Sequence, residues 1–584
     1  MERGSITKWL LLGLAIFFLV TQGKSLFGSK VSEKQNLLDD MSAPATRAPE
    51  QICTLEGPRF RAELSTAGAS LRQFVLLDRR FDADKKPMNL VTTSREARMP
   101  LRTDLRLPDD IRAPKGEPAK GQVAFDDLDW KLQPSDGKSC VFTYEDATTS
   151  LRKTVALSDK PYELAVELEV KNLASTPKKH RFAIEQSGYQ EKKEVEGGFM
   201  SRPSEHVSET VAVGTKVERH SPSDFEPGEF KKPEFTAERW RRAPGPGQLA
   251  AVSNVYFSKL LVPQAGPTPA AETLIEEWWN PSIPKKEDDP HFGYLYRARL
   301  AYPEQELAPG ATATYKALSY AGPKERDLLA GVSPAATDVQ NLGTFVTIAR
   351  GLVWYLDKLY GFTKSWGLAI VLLTITVRLV LFPLSLSQIK SSMAMRRLKP
   401  EMDEINEKYK DDAAQRGLAI QELWRKNGVS NPVIGCLPML LQMPVWWALY
   451  TALQSAVQLY HVPFLWFPDL TAPDRFFIIP IVLGASSFLQ QKLMPAQGDP
   501  QQQKMMLYMM PAIFTFMMLF LPVGLGVYML TNSVLAIAQQ LLVERYLKSH
   551  EPQGSGRIEV REKTSGDGDA PPPALGKGKA RARG

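Results

Sequence analysis

The stretch WGLAIVLLTITVRLVLFPLSL, residues 366–386, decides the fold class, because it is long and apolar and carries one charge, Arg378. A helix needs about 20 apolar residues to cross the hydrocarbon of a bilayer. An arginine at mid-membrane depth costs roughly 2.5–3.5 kcal/mol on insertion scales, so it usually faces a polar cavity or partner. Twelve residues separate Arg378 from both Trp366 and Lys390, which places it centrally in a straight helix. The stretch predicts a transmembrane helix beside a wet interior.

Further apolar stretches of spanning character lie at residues 9–20, 433–454, 475–491, 505–521 and 524–543. The first is short and follows Arg3 and Lys8, a pattern shared by signal peptides and N-terminal anchors, and no convincing small-x-small cleavage site follows it. Residues 1–27 therefore predict an uncleaved signal-anchor transmembrane helix. The mean hydropathy of −0.23 looks soluble only because polar and apolar blocks are averaged. Together the stretches predict a multi-pass α-helical membrane bundle of six transmembrane helices.

A large polar region separates the first two spans. Residues 28–55 predict a linker, whereas residues 56–325 alternate polar and apolar side chains, as in YELAVELEVKN at 162–172. A region of this size without a long apolar run fits a large all-β sandwich. Residues 326–363 have helical spacing but too many polar residues to span, which predicts an amphipathic interfacial helix on the membrane. A helix packed against the sandwich is the alternative.

Lysine and arginine are distributed unevenly between the short loops, and this distribution sets the orientation. Residues 388–430 carry nine of them and residues 456–474 carry none, so the first loop is predicted to be cytoplasmic and the second external. Both termini then lie in the cytoplasm and the sandwich lies outside, which suggests a bacterial inner membrane and periplasm. The net charge of +7 matters through this placement more than through its sum.

The cytoplasmic loop at 388–430 contains two helical segments separated by DDAAQRG, which predicts a helical hairpin. Its basic residues Arg396, Arg397 and Lys399 could dock a partner; a solvated surface is the alternative. Residues 546–584 have too little apolar surface to fold, and they predict a disordered basic cytoplasmic tail. Such a tail could bind ribosomal RNA or anionic lipid, or could merely help to fix the topology.

The residue patterns argue against metal and nucleotide chemistry. The six histidines are scattered without an HExxH pattern or zinc-like spacing, and no GxxxxGK[ST] motif is present. We therefore expect no catalytic residue, metal or cofactor, and the chain is not predicted to be an enzyme. Cys53 and Cys140 could pair in an oxidising compartment, whereas Cys436 lies in an apolar segment.

Three long motifs resemble the YidC, Oxa1 and Alb3 family of membrane protein insertases. They are TITVRLVLFPLSLSQIKSSMAMRRLKPEM at 374–402, NPVIGCLPMLLQMPVWWALYTAL at 431–453 and QQQKMMLYMMPAIFTFMMLFLPVGLGVYMLTN at 501–532. The similarity covers about residues 340–545. The large external domain resembles that of the Gram-negative YidC branch, although its own sequence is less diagnostic.

The resemblance implies a five-helix insertase core at residues 364–545, which holds a hydrophilic groove open to the cytoplasm and lipid. Arg378 corresponds to the groove arginine of that family, and Thr374, one helical turn earlier, corresponds to a nearby threonine. Polar candidates elsewhere in the groove include Gln442, Gln490 and Asn532. For each of these, a helix-to-helix hydrogen bond is the alternative.

The resemblance also implies an apolar slide for the incoming helix. Its candidate residues are Tyr528, Met529, Met509 and Met510, and methionine suits varied sequences because it repacks easily. Many family members carry two adjacent aromatic residues in the last span, whereas this chain has Met529 after Tyr528. A contact attributed to the second aromatic residue does not transfer directly.

The implied function is insertion, folding and assembly of integral membrane proteins, independently of or together with the Sec translocon. Arg378 and nearby amides would solvate a polar segment halfway across the hydrocarbon and would favour acidic segments. The expected partners are nascent membrane proteins, Sec components, the lipid bilayer and the ribosome, the last through the hairpin and tail. An inner-membrane solute transporter or channel is the alternative, although no internal repeat supports it. A carbohydrate enzyme is a further rival, because the sandwich could be similar to sugar-mutarotase folds.

Overall fold

The computed structural model describes residues 48–82, 86–93, 98–106, 123–124, 130–145, 149–191, 207–225, 239–279, 292–410, 412–427, 437–493 and 500–550. These residues form a β-domain followed by a helical part. The predicted signal anchor at 1–27 and the predicted tail beyond residue 550 lie outside the described residues.

The described strands of the β-domain are β1 Ile52–Glu56, β2 Phe60–Ser65, β3 Ser70–Leu76, β4 Arg102–Arg106, β5 Val123–Ala124, β6 Lys131–Leu132, β7 Ser139–Glu145, β8 Thr149–Leu157, β9 Glu163–Asn172, β10 Lys178–Glu191, β11 Glu209–Val213, β12 Val217–His220, β13 Arg241–Arg242, β14 Leu249–Ser253, β15 Phe257–Pro263, β16 Ala270–Trp279, β17 Phe292–Ala301, β18 Gln305–Leu307 and β19 Thr312–Pro323. They form three antiparallel sheets. The small sheet has the order β1-β2-β3, and the seven-stranded sheet has the order β13-β16-β17-β10-β4-β5 with β18 beside β10. The nine-stranded sheet has the order β12-β11-β14-β15-β19-β9-β8-β7-β6.

Alternating burial along the strands builds the core of this domain. On β9, Leu164, Val166 and Leu168 are buried, whereas Glu167 and Glu169 between and beside them are partly exposed. This period of two is the pattern that a strand needs to bury one face. The prediction of a large all-β domain is confirmed.

The β-domain begins earlier than predicted. β1 starts at Ile52, inside the stretch 28–55 that we predicted to be a linker, because Cys53 and Leu55 on one face of this strand are buried. Cys53 also forms a disulfide with Cys140 of β7, with a Cα–Cα distance of 6.0 Å. The disulfide joins the small sheet to the nine-stranded sheet. Such a bond fits a domain in an oxidising compartment.

The region 326–363 does not form one continuous helix. Helix α1, Arg326–Val332, and the 3-10 turn Pro334–Val339 pack on the β-domain, as the alternative interpretation had it. Helix α2, Val346–Thr363, packs instead with the helical part. The single helix was wrong because Ser333 is extended and Pro334 begins a new turn. Gly343 then has a φ of 70°, outside the range of an α-helix, before α2 begins.

The remaining helices are α3 Trp366–Val380, α4 Phe382–Arg397, α5 Lys399–Lys408, α6 Ala413–Lys426, α7 Leu437–Gln454, α8 Ile478–Leu493, α9 Pro500–Met518 and α10 Val523–Ser549. Their shared core includes Leu356 of α2, Ile370 of α3, Leu453 of α7, Leu483 of α8 and Leu525 of α10. α10 continues to Ser549 and so enters the stretch 546–584 that we predicted to be tail.

The stretch 366–386 is bent. α3 ends at Val380, α4 begins at Phe382, and the two helices differ in direction by 60°. Pro383 in the first turn of α4 has no N–H and is tolerated only at a helix start, which accounts for the break. Arg378 therefore lies in the last turn of α3, and the straight helix from which we placed it at mid-span was wrong.

Length and mean hydropathy identify few complete crossings among the described residues. Val523–Ser549 is long and apolar enough to cross a membrane by itself, and α3 with α4 adds a second crossing if the bent pair counts as one span. Ile478–Leu493 and Met505–Met518 are shorter apolar helices. The number of six transmembrane helices stays a prediction, and its first member, at 9–20, lies outside the described residues.

Helices α5 and α6 lie within the predicted hairpin at 388–430 and contact each other. The carboxylate of Asp412 starts α6 by accepting backbone N–H bonds from Ala414 and Gln415, each at 3.0 Å. Leu398 separates α5 from α4, so the hairpin begins at this break.

The segment between α7 and α8, residues 455–477, contacts both parts of the molecule. Tyr460 is buried, and its ring lies against Tyr256 and Phe257 of the β-domain at centroid distances of 5.1 and 5.7 Å. The carbonyls of Leu470 and Ala472 accept the N–H groups of Gly524 and Val523 at 2.7 and 2.8 Å. These N–H groups begin α10 and have no partner within their own helix. The segment thus connects the β-domain to the start of α10.

Candidate functional site

The candidate site is a polar seam between apolar helices, and Arg378 is its charged member. The guanidinium is half-buried and donates from Nε to Oδ1 of Asn532 on α10 at 2.7 Å. It also donates from Nη2 to the backbone carbonyl of Asn532 at 3.2 Å. Among the described residues, Arg378 makes no ion pair. Its charge is therefore held by a neutral residue.

The seam continues along α10 toward its C-terminal end. Gln490 of α8 donates to the carbonyl of Ser533 at 3.2 Å. Farther along, Gln540 donates to the carbonyl of Leu493 at 3.0 Å and to the carboxylate of Glu544 at 3.1 Å. Gln540 and Glu544 are four residues apart and so are neighbours on one face of α10.

The structure brings two of the predicted groove residues together with a third nearby. Arg378 and Asn532 are bonded, and Gln490 binds the residue next to Asn532. Thr374 is buried, and its hydroxyl donates to the carbonyl of Ile370 in its own helix at 2.7 Å. Gln442 lies on α7, but its side chain is outside the part of the chain that the structure describes. The groove roles of these residues stay predictions.

The predicted slide residues lie in two different environments. Met509 and Met510 of α9 are 41 % and 51 % exposed. Tyr528 and Met529 of α10 are buried in the core of the helical part. A slide made of all four would need α10 to expose its buried face, so of these four residues only Met509 and Met510 of α9 offer exposed apolar surface.

The predicted docking residues also lie in two different environments. Arg396 forms an ion pair with Glu544, with 3.0 Å between Nη1 and Oε1, and the Glu544 side chain is only 11 % exposed. Arg397 and Lys399 are exposed on the same turn. Sequence reasoning missed Glu544, although a lone acidic residue four positions after Gln540 on an apolar helix was an available signal. The described residues contain no group of three or more metal-ligating side chains.

Two family models match almost all of the chain beyond its first fifty residues. The YidC periplasmic domain matches residues 53–355, and the 60Kd inner membrane protein family matches residues 358–551. The membrane protein insertase YidC of Anaeromyxobacter dehalogenans is 34 % identical over 523 residues, which cover 87 % of this chain and 88 % of that protein. The chain belongs to the YidC family of membrane protein insertases. The YidC insertase of Cupriavidus necator is 38 % identical over 354 residues, 60 % of this chain and 59 % of that protein.

Solved structures with similar chains include an active YidC insertase with its first transmembrane domain resolved. It is 18 % identical and covers 91 % of this chain and 98 % of its own, with a TM-score of 0.34. A galactose mutarotase-like protein from Lactobacillus casei is 15 % identical and covers 46 % of this chain and 100 % of its own, with a TM-score of 0.29.

Membership of the YidC family confirms several predictions made from the sequence. The chain is a membrane protein insertase of the bacterial inner membrane with a periplasmic domain, and it is not an enzyme. Its substrates are nascent membrane proteins. The relatives named here give no support to the alternative of a solute transporter or channel.

Proposed function

We propose that this chain inserts, folds and helps to assemble integral membrane proteins through an intramembrane groove in which Arg378 receives acidic polar segments. It would act independently of or together with the Sec translocon. The observation that carries the proposal is the pairing of Arg378 with a neutral amide, Asn532, between two apolar helices. A guanidinium that lies between apolar helices without a counter-ion can still bind a carboxylate strongly.

The mechanism follows from the cost of moving polar groups through hydrocarbon. An incoming protein must carry a short polar terminus or loop across the bilayer while its apolar helix leaves water for lipid. Hydrogen-bond donors and acceptors partway across the hydrocarbon would come from Arg378, Asn532 and Gln490. They would replace some of the hydration that the polar segment loses and so lower the free-energy barrier to its crossing. The apolar helix would meanwhile contact the exposed face of α9 around Met509 and Met510. Methionine adapts to many side chains there.

The wider arrangement belongs to the same proposal. Six transmembrane helices, five of them forming the core at 364–545, would place both termini in the cytoplasm and the β-domain in the periplasm, in accord with loop charge. The exposed residues Arg397 and Lys399 of the hairpin, with the basic tail, would receive chains from the ribosome. Sec components would be partners within the membrane.

The test replaces Arg378 with alanine in the full-length protein reconstituted into liposomes. We expect insertion of a substrate with an acidic translocated tail to fall roughly tenfold, as the loss of one charge-assisted hydrogen bond would produce. Insertion of the same substrate with a neutral tail should change much less. Protease protection of the translocated tail measures both rates.

The matched control is Arg425→Ala, which removes the same charge from the exposed surface of α6. It should leave the ratio of acidic to neutral insertion unchanged. If Arg378→Ala inserted both substrates at wild-type rates, the groove proposal would be wrong.

A further inference from the structure

We propose that Asn532 is a positioning residue that orients Arg378 so that one edge of its guanidinium stays available to a substrate carboxylate. This inference rests on the proposed function, because it concerns how the groove selects acidic segments. The selectivity for acidic segments would then depend on Asn532 of α10 as well as on Arg378.

The geometry of the guanidinium carries the argument. Nε and Nη2 form its side-on edge, and both donate to one residue: Nε to the side-chain oxygen of Asn532 at 2.7 Å and Nη2 to its backbone carbonyl at 3.2 Å. Two contacts from a planar group to one rigid helix turn fix its orientation. On the end-on edge, formed by Nη1 and the second N–H of Nη2, Nη1 makes no hydrogen bond with the described residues. This end-on edge matches the bidentate geometry of a carboxylate.

The lack of charge on Asn532 matters as much as its position. A charge-assisted bond to a carboxylate is roughly twice as strong as a bond between neutral groups, so an amide holds the guanidinium without satisfying its charge. An aspartate at the same place would make the same two contacts and would neutralise Arg378 within the protein. The resting site would then resemble a completed ion pair, and an incoming carboxylate would gain little by binding.

The decisive variant is therefore Asn532→Asp, which preserves shape and adds one negative charge. In reconstituted full-length protein we expect insertion of the acidic-tail substrate to fall about fivefold to tenfold while the neutral-tail substrate is nearly unaffected. The control is Asn341→Asp, which makes the same chemical change at an exposed residue outside the seam, where the side-chain oxygen accepts the N–H of Gly343. It should alter the acidic-to-neutral ratio less than twofold.

A second measurement separates positioning from a purely structural effect. In an Arg378→Gln background, Asn532→Asp should leave the acidic-to-neutral ratio unchanged, because Asn532 acts only through the arginine. A further drop in that background, or an unchanged ratio for Asn532→Asp alone, would overturn the inference.

The proposed function has a separate outcome. If Arg378→Gln itself leaves both substrates at wild-type rates, the groove role of the arginine fails. If Arg378→Gln lowers acidic insertion but Asn532→Asp does not, only the role of Asn532 fails. Thermal unfolding of each variant in detergent shows whether a loss of activity reflects a loss of folding.

Discussion

Several cations inside this molecule are held by neutral oxygen atoms. Arg378 is held by the amide and carbonyl of Asn532, and Lys259 of β15 donates to the carbonyl of Ser187 on β10 at 2.6 Å. Lys259 is almost fully buried, and desolvation lowers its pKa from 10.5 to about 7. The sequence offered one signal, a lysine in the mostly apolar strand FSKLLVP, but it could not show which carbonyl accepts its hydrogen bond.

Replacing Lys259 with methionine should stabilise the β-domain, most strongly at or below neutral pH. The folded pKa of Lys259, about 7, lies below its unfolded value of 10.5, so burial of its charge costs stability fully below pH 7. That cost declines as pH rises from 7 to 10.5, by at most about 1.4 kcal/mol per pH unit for one proton. The advantage of the variant in free energy of unfolding should shrink over the same range.

Denaturant unfolding of the full-length protein at pH 6, 7.5 and 9 measures this difference. Lys316→Met is the control, since the Lys316 side chain is 48 % exposed and pairs with Glu167 on the surface. A constant difference between wild type and Lys259→Met across these pH values would contradict a depressed pKa.

At the scale of elements, the hairpin is tied to the bundle at its base. Arg396 lies in the last turn of α4, two residues before the break at Leu398, and its partner Glu544 lies near the end of α10. Gln540 joins the same carboxylate to the C-terminal end of α8. A partly buried ion pair is weak evidence for stability, but removal of one partner leaves a charge without compensation. The ion pair therefore joins the base of the hairpin to the end of α10.

Glu544→Gln should loosen α5 and α6 without unfolding the bundle. The amide cannot neutralise Arg396, so the base of the hairpin would separate from α10 more often. Hydrogen exchange followed by mass spectrometry should show faster exchange across Lys399–Lys408 and Ala413–Lys426.

Glu422→Gln is the matched control, because Glu422 makes an exposed pair with Lys426 within α6. Surface pairs of this kind contribute little, so its exchange rates should stay near those of wild type. Equal rates in Glu544→Gln and wild type would show that packing of Met395 and Leu398, both buried, holds the hairpin without the ion pair.

At the scale of the whole molecule, Tyr460 connects the β-domain to the helical part. Its ring is buried among Phe81, Tyr256 and Phe257, and the same segment supplies the carbonyls that begin α10. Because α10 also carries Asn532, a continuous set of packed residues leads from the β-domain to the helix that holds Arg378.

Tyr460→Ala should widen the range of positions that the β-domain takes relative to the helices. Loss of a buried aromatic ring costs about 3 kcal/mol or more, which is large against one contact surface. Spin labels on Val217→Cys and Phe362→Cys, both exposed sites, would report the distance distribution in a Cys436→Ser background. Tyr546→Ala, an exposed tyrosine on α10, is the control. An unchanged distribution in Tyr460→Ala would show that the connection through α1 suffices.

The class and order of the parts could be read from local patterns. Alternation over 56–325 predicted the β-domain, apolar blocks predicted the helical part, and the motifs around Arg378 predicted the family. These features are local because burial of one face repeats every two residues in a strand and every three or four in a helix. The start of the β-domain was missed by four residues, since a single strand at a boundary has no neighbouring pattern to reveal it.

The contacts that give the site its chemistry arise only from packing. Arg378 and Asn532 are 154 positions apart, so no periodicity could choose Asn532 over the other polar candidates or show that its amide would clamp one guanidinium edge. The break after Val380 likewise overrode a continuous apolar stretch and moved Arg378 to a helix end. The burial of apolar side chains is non-directional and can be predicted from the sequence pattern. Hydrogen bonds and ion pairs depend on distances and angles that are fixed only when the helices pack together.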